Sequence, residues 1–133
     1  MTKHSFKFDK LIRDKILEMM LSTDCIVHDK KLKGPELITA LKNKLLEEAH
    51  EVAATKSVDE LKEELADLME VISAILSIHK LDPAEIEKIR ETKNLQKGGF
   101  TQGIFVSSIE IDENNPEINR YISKSTKYPN IKK

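Results

Sequence analysis

The chain has one cysteine, no tryptophan, four glycines and four prolines in 133 residues, and no surplus of either charge, with Lys+Arg 22 against Asp+Glu 23. Each scarcity excludes something. A single Cys25 rules out an intramolecular disulfide framework. A formal charge of -1 provides no overall basic field for DNA or RNA, so any charge that matters is local, and a nucleic-acid polymer is not an expected partner. The longest apolar run, around "LMEVISAILSI", is short and broken by Glu70 and by Ser73 and Ser77, so no membrane span is expected. The opening "MTKHSFKFDK" is polar and basic without an apolar core, unlike a secretory leader. These features together lead us to expect a reducing cytoplasm. A chain of this length suits one domain with a modest core.

What is present is helix grammar. "KGPELITALKNKLLEEAHEVAATK" opens with Gly34 and Pro35 at cap and first-turn positions, where proline's missing N–H costs nothing. "SVDELKEELADLMEVISAILSIHK" opens with Ser57 followed by Glu60, a capping box. "LDPAEIEKIRETKN" repeats the device with Asp82 as N-cap, Pro83 at N1 and Glu85 at N3. Three helices are expected there. A shorter one is expected in "FDKLIRDKILEMML", from the spacing of Ile12, Ile16, Met19 and Met20. "CIVHDKKL" reads as a brief extended segment, and "GGFTQGIFVSSIEI" as a glycine turn leading into a short C-terminal strand or extended stretch. From Glu110 the chain turns polar, and Asn114, Asn115 and Pro116 break any period, which predicts a loosely packed tail over 110–133.

The acids on the two longest helices are the unusual feature. At about 100° per residue, Leu41, Leu45, Ala49 and Val52 share one side of the first. Glu48 projects into that sector and Glu51 onto its edge, while Glu47 and His50 point away, which makes Glu47 a solvated charge. On the next helix Leu61, Leu65, Leu68, Met69, Ile72 and Ile75 form the main apolar stripe. A second stripe of Val71, Ala74 and Ile78 continues toward the N-terminus as Asp67, Glu64 and Glu60. Burying such a strip strands carboxylates in low dielectric unless they are neutralised or hold a cation. Pairs at i and i+3 put two carboxylates on adjacent turns, so Glu48 and Glu51 facing Glu64 and Asp67 make an all-oxygen cage suited to Mg²⁺ or Mn²⁺ rather than Zn²⁺. The plainer alternative is a set of solvated acids paired with Lys42, Lys44 or Lys62. Glu60 reads as a capping residue, Glu70 as solvent-facing, His50 as a surface imidazole and His79 as a helix C-terminal base.

The order of four motifs, "FDKLIRDKI", "LKNKLLEEAHEV", "EELADLMEVISAI" and "IRETKNLQKGGFTQGIFV", resembles the MazG-like, all-α nucleotide pyrophosphohydrolases. The likeness is to the small phosphoribosyl-ATP pyrophosphohydrolase-like branch, and it covers residues 8 to 106. It implies a domain over 1–109, an all-α helical bundle completed by oligomerisation as a homodimer or homotetramer, and Mg²⁺ held by Glu48, Glu51, Glu64 and Asp67. The implied reaction is hydrolysis of a nucleoside triphosphate or related nucleotide between the α and β phosphates, giving a monophosphate and pyrophosphate. One of the carboxylates, Glu48 or Glu51, is the candidate acceptor for the water proton. Cations for the phosphates are offered by Lys10, Arg13 and Lys15 and by Arg90, Lys93 and Lys97; for each the alternative is an ordinary solvated base. Leu17 stands where the family often has proline, and Lys97 where it often has arginine, so Lys97 lacks a bidentate fork. Phosphoribosyl-ATP as substrate, or a non-catalytic helical oligomerisation or nucleotide-binding module, are the competing readings.

Overall fold

The computed structural model describes residues 2–131. Its elements are helices: α1 Asp14–Ser22, α2 Pro35–Ala54, α3 Val58–Ile78, α4 Pro83–Lys97 and α5 Ile118–Ile122. No strand occurs among the described residues, and 103–112 is without regular structure. The expectation of an all-α chain is met. Contacts divide the chain into two units, Met1–Lys93 and Asn94–Lys133, with the division inside α4.

In the first unit α2 and α3 pack on each other, joined by residues 55–57. So short a connection forces neighbouring antiparallel helices. Local chemistry fixes the start of each. Gly34 takes φ +60° and ψ −140° before Pro35, a conformation that only glycine enters without strain. Ser57 Oγ accepts from the Glu60 amide at 3.1 Å, and Glu60 Oε2 accepts from the Lys56 amide at 2.9 Å. The box thus closes one residue further back than its usual form, which confirms Glu60 as a capping residue. At α4, Asp82 Oδ1 accepts from the Ala84 amide at 2.9 Å.

The two stripes of α3 are buried unevenly, with Leu61, Leu68 and Ile75 of the longer one half-buried. The buried apolar residues among those described are Leu41 on α2 and Val71 on α3, each 8% exposed. Val71 belongs to the acid-bearing stripe, whereas Leu65, Met69 and Ile72 of the longer stripe are exposed. The α2–α3 seam therefore includes the strip that is apolar toward the C-terminal half of α3, at Val71, and acidic toward its N-terminal half, at Glu64 and Asp67.

The second unit is stabilised locally. Ile118–Ile122 forms a one-turn helix within the expected loose tail, and the rings of Tyr121 and Tyr128 meet edge to face at 5.1 Å. Phe100, Ile104, Phe105 and Val106 are exposed. No described helix is long and apolar enough to cross a membrane.

Candidate metal centre

The third buried residue among those described is Glu48, 8% exposed. It sits one turn after Lys44 and two turns after Leu41 on the side of α2 that meets α3. Across the seam, α3 presents Glu64 and Asp67 at i and i+3, one turn apart on one face. The result is three carboxylates, Glu48, Glu64 and Asp67, with one oxygen from each lying within 4.8 Å of the others. Glu51, the fourth acid of the sequence-derived set, is exposed and outside this group. Its charge still reaches the site, because it is among the groups that act on Glu64.

The electrostatics of the cluster are those of crowded like charges. The Glu64 carboxyl is pushed above its ordinary value, first by partial burial and then by the negative charges of Asp67, Glu51, Glu48 and Glu63. Both causes disfavour its ionised form.

Two basic groups answer the acids from within the chain. Arg13, the residue just before α1, donates from Nη2 to Asp67 Oδ1 at 2.7 Å. This bond, followed by the charges of Asp67, Glu70 and Glu48, raises the Arg13 pKa, while partial desolvation opposes it. Lys44, 18% exposed in its side chain, lies 3.1 Å from Glu47 and 3.5 Å from Glu48. Lys10 also reaches Glu47, at 3.0 Å. Glu47 is thus not the solvated charge expected from the helical projection. It is half-buried between Lys10 and Lys44, and although partial burial works against ionisation, the hydrogen bonds from the two lysines win and lower its pKa. The projection missed this because it shows where a side chain leaves its own helix, not what another segment lays over it.

The remaining sequence-derived bases are placed as follows. Lys15 is exposed on α1. Arg90 is clamped by Glu87 on its own helix, with Nη2 to Oε1 at 2.6 Å and Nε to both carboxylate oxygens at 3.0 Å. Lys93 and Lys97 are exposed on α4. Of the six candidate bases, the structure brings Arg13 onto the acidic cluster itself and Lys10 onto its neighbour Glu47. Lys44, which the sequence offered as a pairing partner for these acids rather than as a phosphate-binding base, is the further participant. Its signal was the i+3 and i+4 spacing to Glu47 and Glu48.

Lys10 and Lys44 also line an open cleft of about 330 Å³ together with Asp9, Leu11, Ala40, Asn43 and Glu47. The cleft stops at Glu47 and does not include the three clustered carboxylates.

The donor set fits a hard divalent cation. Three carboxylate oxygens from two rigid helices, with neither Cys nor His among them, match Mg²⁺ or Mn²⁺ in ligand type. Charge agrees in sign, since the three clustered carboxylates Glu48, Glu64 and Asp67 outnumber the two basic groups that reach them, Arg13 and Lys44. The chain matches no family model, no curated protein and no solved structure, so the functional reading rests on these residues and on the order of the motifs that carry them.

Proposed function

We propose that the protein is a divalent-cation-dependent nucleotide pyrophosphohydrolase, cleaving a nucleoside triphosphate or related nucleotide between the α and β phosphates. The observation that carries this reading is the convergence of Glu48, Glu64 and Asp67 from α2 and α3. The resemblance of the four motifs to MazG-like pyrophosphohydrolases supports it.

In this reading Glu48, Glu64 and Asp67 hold Mg²⁺ or Mn²⁺, and Glu51 contributes charge at the rim. The ion, when bound, supplies charge neutralisation for the phosphoanhydride and lowers the pKa of a water. Arg13 orients Asp67 through the 2.7 Å bond. Lys10 and Lys44 bring two ammonium groups to one cleft, where phosphate oxygens make charge-assisted hydrogen bonds. Glu48 is buried on a rigid helix, so a proton accepted there is held at a fixed place. No nucleophilic Ser or Cys is needed. The enzyme acts as a homo-oligomer in a reducing cytoplasm, where an exposed free Cys25 stays a thiol.

The specific competitor is a metal-free polar seam, favoured by the Arg13–Asp67 and Lys44–Glu48 ion pairs. A pyrophosphate-release screen of ordinary and modified nucleotides with Mg²⁺ or Mn²⁺ separates the two. Turnover by the wild type that falls at least about 100-fold, near 2.7 kcal/mol of transition-state stabilisation, in both Glu48→Gln and Asp67→Asn supports the enzyme. Absence of turnover on every nucleotide, or unchanged turnover in both variants, overturns it.

A further inference from the structure

The segment before α1 is held at two points of unequal chemistry. Lys10 Nζ donates to Glu47 Oε1 at 3.0 Å, and Arg13 Nη2 donates to Asp67 Oδ1 at 2.7 Å. Among the described residues these are the hydrogen bonds that tie residues 2–13 to α2 and α3. Arg13 is the N-cap residue of α1 but makes no side-chain cap bond there, so its guanidinium serves Asp67. Asp9 turns the chain into this strap with φ +45°, a left-handed conformation that aspartate tolerates better than most residues. Leu11 and Ile12, between the two anchors, are half-buried.

The anchors differ in what a cation would do to them. Asp67 belongs to the three-carboxylate cluster and Glu47 does not. An ion held by Glu48, Glu64 and Asp67 therefore draws on the carboxylate that Arg13 uses and leaves the partner of Lys10 alone. The acids whose charge acts on Arg13 are Asp67, Glu70 and Glu48, and two of these three are cluster members. A divalent ion among them cancels the field that attracts the guanidinium and sets a like charge beside it. The pair to be displaced is weak, because its side chains are 56% and 40% exposed and ion pairs so open to water contribute little. The strap is also a wall of the neighbouring cleft. Asp9, Lys10 and Leu11 line it, and it ends at Glu47, one residue short of Glu48.

We propose that residues 10–13 form a strap that a divalent ion releases. Before the ion binds, Arg13 serves Asp67 as a built-in counter-cation. Loading the cluster displaces Arg13, which frees the strap from α3 while Lys10 keeps it on α2, and the wall of the cleft nearest the carboxylates becomes mobile. This inference rests on the divalent-ion reading of the cluster and adds to it a coupling between ion loading and the cleft. By linkage the exchange runs both ways: whatever takes Arg13 off Asp67 strengthens ion binding by the factor by which the ion weakens the strap.

The test uses the full chain and Mg²⁺ alone, without nucleotide. Calorimetry is expected to show Arg13→Gln binding Mg²⁺ at least about threefold more tightly than the wild type, the size set by an exposed ion pair. Arg13→Lys falls between the two, and Lys10→Gln matches the wild type. Because the chain contains no tryptophan, Ile12→Trp puts a single fluorophore on the strap. Saturating Mg²⁺ is expected to make that tryptophan clearly more accessible to acrylamide quenching, and to change nothing when Glu64→Gln is added. Should Ile12→Trp not fold, the Arg13 affinities decide alone. Arg13→Gln binding Mg²⁺ no more tightly than the wild type overturns the strap, since Arg13 then positions Asp67 for the ion instead of competing with it. Saturation by Mg²⁺ without a change in quenching overturns it too. In both cases the ion reading stands. A wild type that binds no Mg²⁺ at millimolar concentration overturns the strap and the metal reading together.

Discussion

At the residue scale the acidic seam makes opposing demands on pH. Glu47 is held below the ordinary carboxylate value of 4.5, so the folded state binds its proton less well than the unfolded chain does. The stability it contributes is present above pH 4.5 and is lost as pH falls through the lower, folded value. Glu64 has the opposite sign. Its folded pKa is raised, so it opposes folding increasingly as pH climbs from the unfolded toward the folded value, and the full penalty applies above that. Glu64→Gln is therefore expected to raise the melting temperature at pH 7.5 in chelator, and to lose that advantage below pH 4.5. Thermal denaturation at a series of pH values checks both signs. Glu47→Gln lowers the melting temperature at neutral pH, because Lys10 and Lys44 lose their shared partner.

The same residue distinguishes a metal site from an internally compensated seam. Millimolar Mg²⁺ or Mn²⁺ stabilises a protein that binds it, by about 2.7 kcal/mol at a hundred times the dissociation constant. The wild type is expected to show a rise of several degrees and Glu64→Gln little or none. An equal shift in both, or none in the wild type, speaks against the ion at this place.

At the scale of the element, helix starts are where sequence determines structure most directly. Ser57→Ala removes the acceptor for the Glu60 amide and is expected to cost about 1 kcal/mol. Gly34→Ala meets no atom within 4 Å, so the whole effect comes from the backbone at φ +60° and ψ −140°. A cost of about 1–3 kcal/mol is expected, read as a lower denaturant midpoint with an unchanged slope. On α2, Leu41 is among the best-buried apolar side chains, and Leu41→Ala is expected to cost about 2–3 kcal/mol. A similar loss at exposed Met69 in a monomeric state would indicate a different packing face.

At the scale of the whole molecule, the seam between α2 and α3 joins folding to the candidate chemistry. Its apolar part, with Val71, holds the helices together, and its acidic part, with Glu48, Glu64 and Asp67, is held close by that packing. The segment before α1 fastens to both helices, to α2 through Lys10 and Glu47 and to α3 through Arg13 and Asp67. Arg13→Gln frees Asp67 from its ion pair and increases the uncompensated charge at the cluster. It is expected to lower stability in chelator, and to leave a larger stabilisation by divalent cation than the wild type shows. Thermal melts with and without Mn²⁺ measure both.

Helix existence, the glycine–proline and capping-box starts, and the sharing of one face of α3 by Glu64 and Asp67 were all determined by the sequence itself. These depend on spacing within one helix and on bonds between near neighbours, which the linear chain encodes. Tertiary structure alone decided how the longer apolar stripe of α3 divides, with Leu61, Leu68 and Ile75 half-buried and Leu65, Met69 and Ile72 exposed, because both stripes have helical period. It also decided that Glu51 stands outside the cluster while Lys44 stands within it, and that Glu47 is held by Lys10 from 37 residues away. A contact between segments far apart in the chain leaves no period in either. It comes into being when packing brings the segments together, and only then do three carboxylates on two helices become one site.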